Sequence, residues 1–255
     1  MPRTAPLARA RGLARSLLWS YGTVWRRRRM VAFYAGFLAP GDLAFDVGSH
    51  AGNRVRAFRR AGARVVAVEP QPDLLAVLRT LYGRDRGVRI EPCALAAEPG
   101  EGVLHLATRA PTVSTLAPAW IRDVRADPRF AGLRWDREVV VPLRTLDELI
   151  ARHGEPQFCK IDVEGHELEV LRGLTRALPA LSFEYIPVVA DRAVACVERL
   201  AQLGEYRFAS SPVETWRWAT PWLTPEDMVL RLRALSPDAR PGDVYAVRSD
   251  VTLHG

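Results

Sequence analysis

The sequence predicts an α/β fold built on a mostly parallel sheet, and three observations predict it. From Leu43 onward, short apolar runs alternate with amphipathic helical runs. A turn with two glycines, DVGSHAG at residues 46–52, joins the first of these strands to the first helix. The second strand then ends in an acid, Glu69, about 20 residues further on.

The elements follow in order. Before Pro40, Leu13, Leu17, Tyr21, Val24, Trp25, Val31, Tyr34 and Leu38 recur at helical spacing, which predicts one or two amphipathic helices. LAFDV reads as a buried strand and NRVRAFRRAG as a helix stopped by Gly62. RVVAVE is the second strand. QPDLLAVLRTLYG is a helix with Pro72 early and Gly83 at its end. VRIEPCAL reads as one third strand. Residues 98–142 break the rhythm: GVLHLAT and EVVVPL frame a polar, Pro-containing stretch of the kind that forms binding loops. TLDELIARHG carries a capping box, Thr145 with Glu148. QFCKIDV is a strand, GHELEVLRGL a helix, ALSFEYI a strand, DRAVACVERLAQLG a helix and YRFAS a strand. A helix near PEDMVLRLRAL and a strand DVYAV close the chain. Residues 1–40 are expected to form a basic helical extension and residues 41–255 the main domain.

The 255 residues, 48% hydrophobic and 25% charged, suffice for one packed domain. Net charge is +7, but Lys160 is the only lysine, so the basic balance reads as an arginine bias and not as a nucleic-acid footprint. Arg3, Arg9, Arg11, Arg15 and Arg26 to Arg29 all precede the first acid, Asp42. That start is a solvated helix face or a contact for an anionic membrane surface. The apolar run after Arg29 ends at Pro40 after ten residues, short of the ~20 that a span needs, so a cytoplasmic protein is expected. An acid-poor, Arg-rich start is also a feature of organelle transit peptides. Cys93, Cys159 and Cys196 show no metal-like spacing and read as buried thiols.

Parallel sheets bind ligands beyond the carboxyl ends of their strands. At the first such end stand Asp46, Gly48, Ser49, His50, Gly52 and Asn53. The glycines allow a tight turn and close backbone approach, and Asp46 attracts a cationic group. At the second end, Glu69, followed by Pro70, is placed to accept both ribose hydroxyls of an adenosine cofactor. The pattern lacks G-x-G-x-x-G and any G-x-x-x-x-G-K-[ST]. An acid with sparse glycines suits S-adenosylmethionine, which carries no phosphate and has cationic centres. KIDVEGHE supplies Lys160, Asp162 and Glu164 in alternation, candidates for binding a substrate hydroxyl, accepting its proton or holding a divalent metal. A helix cap at Asp162 is the plainer account. Glu184 interrupts an apolar strand and faces either solvent or the cleft.

At these residues the chain resembles the FkbM-type methyltransferases, a branch of the class I S-adenosylmethionine-dependent enzymes. FDVGSHAGN, VVAVEP, TLDEL, CKIDVEGHELEVLRGL and LSFEY carry the resemblance, over roughly residues 40–210. It implies a Rossmann-like, seven-stranded, mostly parallel sheet with helices on both faces and the last strand antiparallel. It further implies methyl transfer, usually to oxygen, on a small molecule or glycan. Asp46, Gly48, His50, Gly52 and Asn53 would surround the methionine part, Glu69 would hold the ribose, Cys93 and Ala94 would lie near the adenine, and Asp162 would face the reacting end. His166 stands where the family commonly has a small or hydrophobic residue. No metal ligand and no nucleic-acid partner are expected. A nicotinamide-dependent oxidoreductase and a non-catalytic docking module are the alternatives.

Overall fold

The computed structural model describes residues 24–125, 127–213 and 215–254. Ten strands and eight α-helices are present among them. The main sheet contains β1 (Leu43–Val47), β2 (Arg64–Val68), β3 (Val88–Glu91), β7 (Phe158–Ile161), β8 (Ala180–Tyr185), β9 (Tyr206–Pro212) and β10 (Gly242–Arg248). Their order is β3-β2-β1-β7-β8-β10-β9. All neighbours are parallel except β10, which runs antiparallel to both β8 and β9. This is the seven-stranded, mostly parallel sheet with an antiparallel last strand that the resemblance implies. Every residue of the central strand β1 is buried, as a parallel strand covered on both faces requires.

Two cores sandwich the sheet. On one face, Phe45, Val47, Ile161 and Phe183 pack with α5 (Leu146–His153), α6 (Glu167–Arg172), α7 (Ala190–Leu203) and α8 (Pro225–Arg233). On the other, Ala44, Phe158 and Tyr245 pack under α1 (Val24–Ala35) and α2 (Asn53–Arg60). Tyr34, Phe37 and Leu38 are each 1–2% exposed. Phe37 lies 4.8 Å from the Phe158 ring and Tyr34 4.8 Å from Phe58. The end of the expected N-terminal extension is thus part of this core. Its first 23 residues, with Leu13, Leu17 and Tyr21, lie outside the described residues. No helix among the described residues is long and apolar enough to cross a membrane.

Two expectations need correction. VRIEPCAL is not one strand. Pro92 offers no amide to continue the ladder, and the chain leaves the main sheet there. Its second half, β4 (Ala94–Leu95), pairs with β6 (Arg137–Arg144). With β5 (Gly100–Leu106) these form a separate three-stranded sheet, β4-β6-β5. The supposed loop between β5 and β6 also holds a helix, α4 (Pro118–Val124), which buries Trp120 completely. The remaining helix, α3 (Pro72–Tyr82), follows β2 as expected. The Thr145–Glu148 capping box is present, and all three cysteines are buried and free.

Candidate active site

The strand order reverses between β1 and β7, and a cleft opens at their carboxyl ends. After Val47 the chain turns through Gly48 (φ 79°), Ser49, His50 (φ 50°) and Gly52 (φ 80°). The Gly48 and Ser49 amides both donate to the Val68 carbonyl at 3.0 Å, which stitches the turn to β2. The Ser49 hydroxyl donates to the Asp46 carbonyl at 2.6 Å. A Cβ on Gly48 would collide with the backbone carbonyl of Asp162, so the close approach of these two strand ends demands glycine. At Gly52 the Tyr82 ring occupies the corresponding space, and its hydroxyl donates to the Gly52 carbonyl.

Two cavities share this cleft. The narrower, about 60 Å³, is lined by Val47, Gly48, Glu69, Cys93, Ala94 and Asp162, among others. Glu69 is 2% exposed, and its carboxylate accepts from the His50 and Gln71 amides, each at 2.8 Å. Burial pushes the Glu69 carboxyl up to about 7 despite those two bonds. Residues 111–116 cover the cavity. Gln71 donates to the Pro111 carbonyl and accepts from Ser114, while the Thr115 hydroxyl donates to the Glu164 carbonyl at 2.7 Å. The larger cavity, about 550 Å³, is lined by Asn53, Arg54, Arg129, Phe130, Glu184 and Asp243, among others. Gly48, His50, Thr112, Asp162 and Glu164 line both, and mark where the two meet.

Sheet register explains the charges at this junction. Asp46, Lys160, Ser182 and Tyr245 are Cα neighbours on successive strands. One step toward the cleft, Asp243 pairs with Glu184, and Asp162 follows Ile161, the partner of Phe183. Side chains two apart share a face, so Asp162, Glu184 and Asp243 form a row of acids along the rim. Asp162 pairs with Arg54 at 2.9 Å and lies 3.4 Å from Lys160 Nζ. Those two cations outweigh burial and hold its carboxyl below the usual range. Glu164 and Glu184 have no ion-pair partner among the described residues. Burial, then repulsion by Glu184 for Glu164 and by Asp162 for Glu184, pushes both well above the usual carboxylate range. Carboxylate oxygens of Asp162, Glu164 and Glu184 lie within 4.8 Å of one another, close enough to share a divalent ion.

The structure therefore gathers most of the sequence candidates. Gly48, His50, Glu69, Pro70, Cys93, Ala94, Asp162 and Glu164 line the cleft, and Asn53 borders its larger cavity. Asp46 sits one layer deeper, 1% exposed, with neither carboxylate oxygen hydrogen-bonded; burial raises it to about 6. Ser49 and Gly52 shape the turn from behind. Lys160 departs from the expectation of a group at the reacting centre. It is fully buried below the floor, with Nζ bonded to Asp243 at 2.8 Å and to the Ile161 carbonyl at 3.2 Å. Glu164 does not share a strand face with Asp162 either. The strand stops at Ile161, Glu164 (φ 55°) and Gly165 (φ 88°) bend the chain, and Trp120 packs where a Gly165 side chain would stand. The Glu167 carboxylate clamps that bend by accepting from the Val163 and Gly165 amides. Sequence reading missed Arg54, Gln71 and Asp243. Asp243 was marked only by the acid opening an apolar strand, and nothing distinguishes Arg54 from its neighbouring arginines.

The family model described as the methyltransferase FkbM domain matches residues 46–194, more than half of the chain. The chain belongs to the FkbM methyltransferase family. Over 72 residues it is 42% identical to the C-methyltransferase NovU of Streptomyces niveus, covering 28% of this chain and 15% of that protein. Over 158 residues it is 29% identical to the hexuronic acid methyltransferase AglP of Haloferax volcanii, covering 58% and 56%. The matched region thus spans at most about half of either relative's length. Among solved structures, precorrin-6Y C5,15-methyltransferase from Geobacter metallireducens aligns with TM-score 0.47 at 13% identity, covering 87% and 86% of the two chains. An O-methyltransferase from Bacillus cereus aligns with TM-score 0.43 at 10% identity, covering 98% and 92%.

The cofactor of this FkbM domain is S-adenosylmethionine. The residues present fit it. The buried Glu69 carboxylate retains lone pairs for ribose hydroxyls after its two backbone bonds. The unpartnered Asp46 carboxylate and the ionised Asp162 favour cationic centres. Cys93, Ala94 and Leu95 offer an apolar wall to an adenine ring. The nicotinamide alternative falls with this assignment.

Proposed function

We propose that this methyltransferase acts on a hydroxyl oxygen of a small polyhydroxylated molecule or glycan held in the larger cavity. The observation that carries the reading is the placement of Glu164 and Glu184, two carboxyl groups that form no ion pair among the described residues, beside the junction of the two cavities. A carboxyl group keeps acceptor lone pairs whether or not it holds its proton, so this wall suits a ligand rich in O–H groups. AglP, named for a hexuronic acid substrate, supports a sugar-like acceptor.

When bound, S-adenosylmethionine supplies an activated methyl group. The chain supplies the rest. Glu69 and the covering segment 111–116 hold the nucleoside end and keep water out. Asp162, kept ionised by Arg54 and Lys160, is a weak base and serves as a fixed negative charge at the junction. Proton acceptance falls to Glu164, which lines both cavities and, once ionised, is a stronger base than Asp162 because its affinity for a proton is raised. Glu184 shares that proton, because like charges this close do not both ionise freely. Asp243 and Asn53 border the acceptor space.

The test is transfer of a labelled methyl group from S-adenosylmethionine to a panel of sugars, glycans and phenols. The product should be a methyl ether, and Glu164→Gln should lower kcat by about 10²–10⁴ while cofactor binding stays within a few-fold. Label recovered on carbon, the outcome NovU would suggest, overturns the assignment to oxygen.

A further inference from the structure

Lys160 Nζ has three donors and three acceptors around it: Asp243 Oδ1 at 2.8 Å, the Ile161 carbonyl at 3.2 Å and Asp162 Oδ2 at 3.4 Å. No donor is left for a substrate, and the side chain is fully buried. Asp162 and Asp243 are 18% and 13% exposed and reach the cleft from neighbouring parts of the sheet. Asp162 lines both cavities, whereas Asp243 lines only the larger one.

We infer that Lys160 is a positioning residue, whose single ammonium holds Asp162 at the junction of the two cavities and Asp243 in the wall of the acceptor cavity. The inference rests on the methyl-transfer reading of the cleft. Residue choice supports it independently. The chain has 36 lysines and arginines together, and this is the one lysine. A compact charge on a straight stem can point its donors in three directions inside a closed slot, which a planar guanidinium cannot. Stability alone is a poor reason to bury such a group, since apolar replacement of a buried ion pair is often neutral or better. The bracing also continues outward. The Tyr245 hydroxyl donates to Asp243 Oδ2 at 3.4 Å, and the Tyr245 ring packs edge-on against Phe33 of α1, with centroids 5.2 Å apart. On the other side Arg54 of α2 grips Asp162. One buried lysine thereby links the helices of one face to both halves of the cleft.

The experiment measures binding of S-adenosylhomocysteine by calorimetry across the acid range, together with melting temperature. Besides Lys160 and Arg54, the groups acting on Asp162 are Asp46 on β1, His50 in the first turn, Glu164 and Glu167 in the second, Glu184 on β8 and Asp243 on β10. Asp162→Asn identifies the acid limb that belongs to Asp162. Lys160→Met alone leaves the part-buried Asp243 without its ion-pair partner and risks misfolding. Lys160→Met/Asp243→Asn removes one charge of each sign and restores neutrality. In that double variant the melting temperature should return to near the parental value. The Asp162 limb should still move up by about one to three pH units, because an opposing cation has gone. Affinity at neutral pH should fall several-fold. A double variant with the parental limb and parental affinity overturns the inference and leaves Lys160 a packing residue. If Asp162→Asn changes neither affinity nor its pH dependence, the placement of Asp162 at the cofactor is wrong, and the brace falls with it.

Discussion

Cofactor binding should titrate with Glu69. Its carboxyl sits at about 7 in the folded chain, against an ordinary value of 4.5. Burial is the largest cause, and the His50 and Gln71 amides offset it only in part. Because the folded value is raised, the folded form holds the proton more tightly than the unfolded chain. The stability this confers is complete below pH 4.5 and is lost as pH rises through 7. A shift of that size corresponds to about 3 kcal/mol. Ribose hydroxyls donate to the ionised form, so binding must draw the proton off. From pH 8 to pH 6 the ionised fraction falls from about nine-tenths to about one-tenth, and the Kd for S-adenosylhomocysteine should rise about tenfold. Calorimetry in two buffers of different ionisation enthalpy should show release of about three-quarters of a proton on binding at pH 6.5. Glu69→Gln should erase both the pH limb and the proton release. It should also weaken binding at every pH, since the amide has one acceptor for two backbone donors, a loss of about 1–3 kcal/mol. A flat Kd between pH 6 and 8 in the parental protein, or a limb surviving in Glu69→Gln, refutes the placement of Glu69 at the ribose.

Further outcomes follow from the same geometry. Asp162→Asn should reduce the preference for sinefungin, an analogue with an ammonium at the methyl position, over S-adenosylhomocysteine by about tenfold in competition binding, the value of one close charge. Gly48→Ala places a Cβ against the Asp162 carbonyl at φ 79°, so both melting temperature and cofactor affinity should fall, the backbone strain alone costing about 1–2 kcal/mol. Phe37→Ala should cost about 3–5 kcal/mol in denaturant unfolding, because the ring is 2% exposed and packs on Phe158 beneath the sheet. A merely appended helix would show no such loss. Methyl transfer should be indifferent to a chelator if Glu164 acts as a base; activity lost to EDTA and regained with Mg²⁺ would reassign the three acids to a cation.

Much of this molecule is legible from its sequence for local reasons. Strands of the main sheet are short and mostly apolar, and the turn at Gly48 announces itself through two glycines after an acid. Glu69 was legible because its position depends only on where β2 ends. What escaped depends on register between strands distant in sequence. Lys160, Asp162 and Glu164 look like three equivalent charges on one strand. The fold treats them in three ways, because the strand ends one residue before Asp162 and Trp120, more than 40 residues away in the chain, leaves room only for glycine in the bend that follows. The break in VRIEPCAL was signalled by Pro92, but its destination in a second sheet was not, since β6 lies beyond an insertion with its own helix.

That dependence on register also explains why the rim can hold so many acids. An isolated row of Asp162, Glu184 and Asp243 across neighbouring strands would be costly, since like charges on adjacent strands repel. Here the strands alternate what lies behind each acid. Lys160 and Arg54 serve Asp162, Lys160 and Tyr245 serve Asp243, and Glu184 has only the neutral Ser182 two residues before it on the same face. Of three rim acids on neighbouring strands, Asp162 is held ionised by its cations while the middle one, Glu184, is driven toward its protonated form, as is the nearby Glu164. A surface meant only to repel or to solvate would have no need of that asymmetry. A cleft that must keep a constant negative charge beside a cationic cofactor, and also accept a proton from the acceptor, needs both kinds of carboxylate within one side chain's reach.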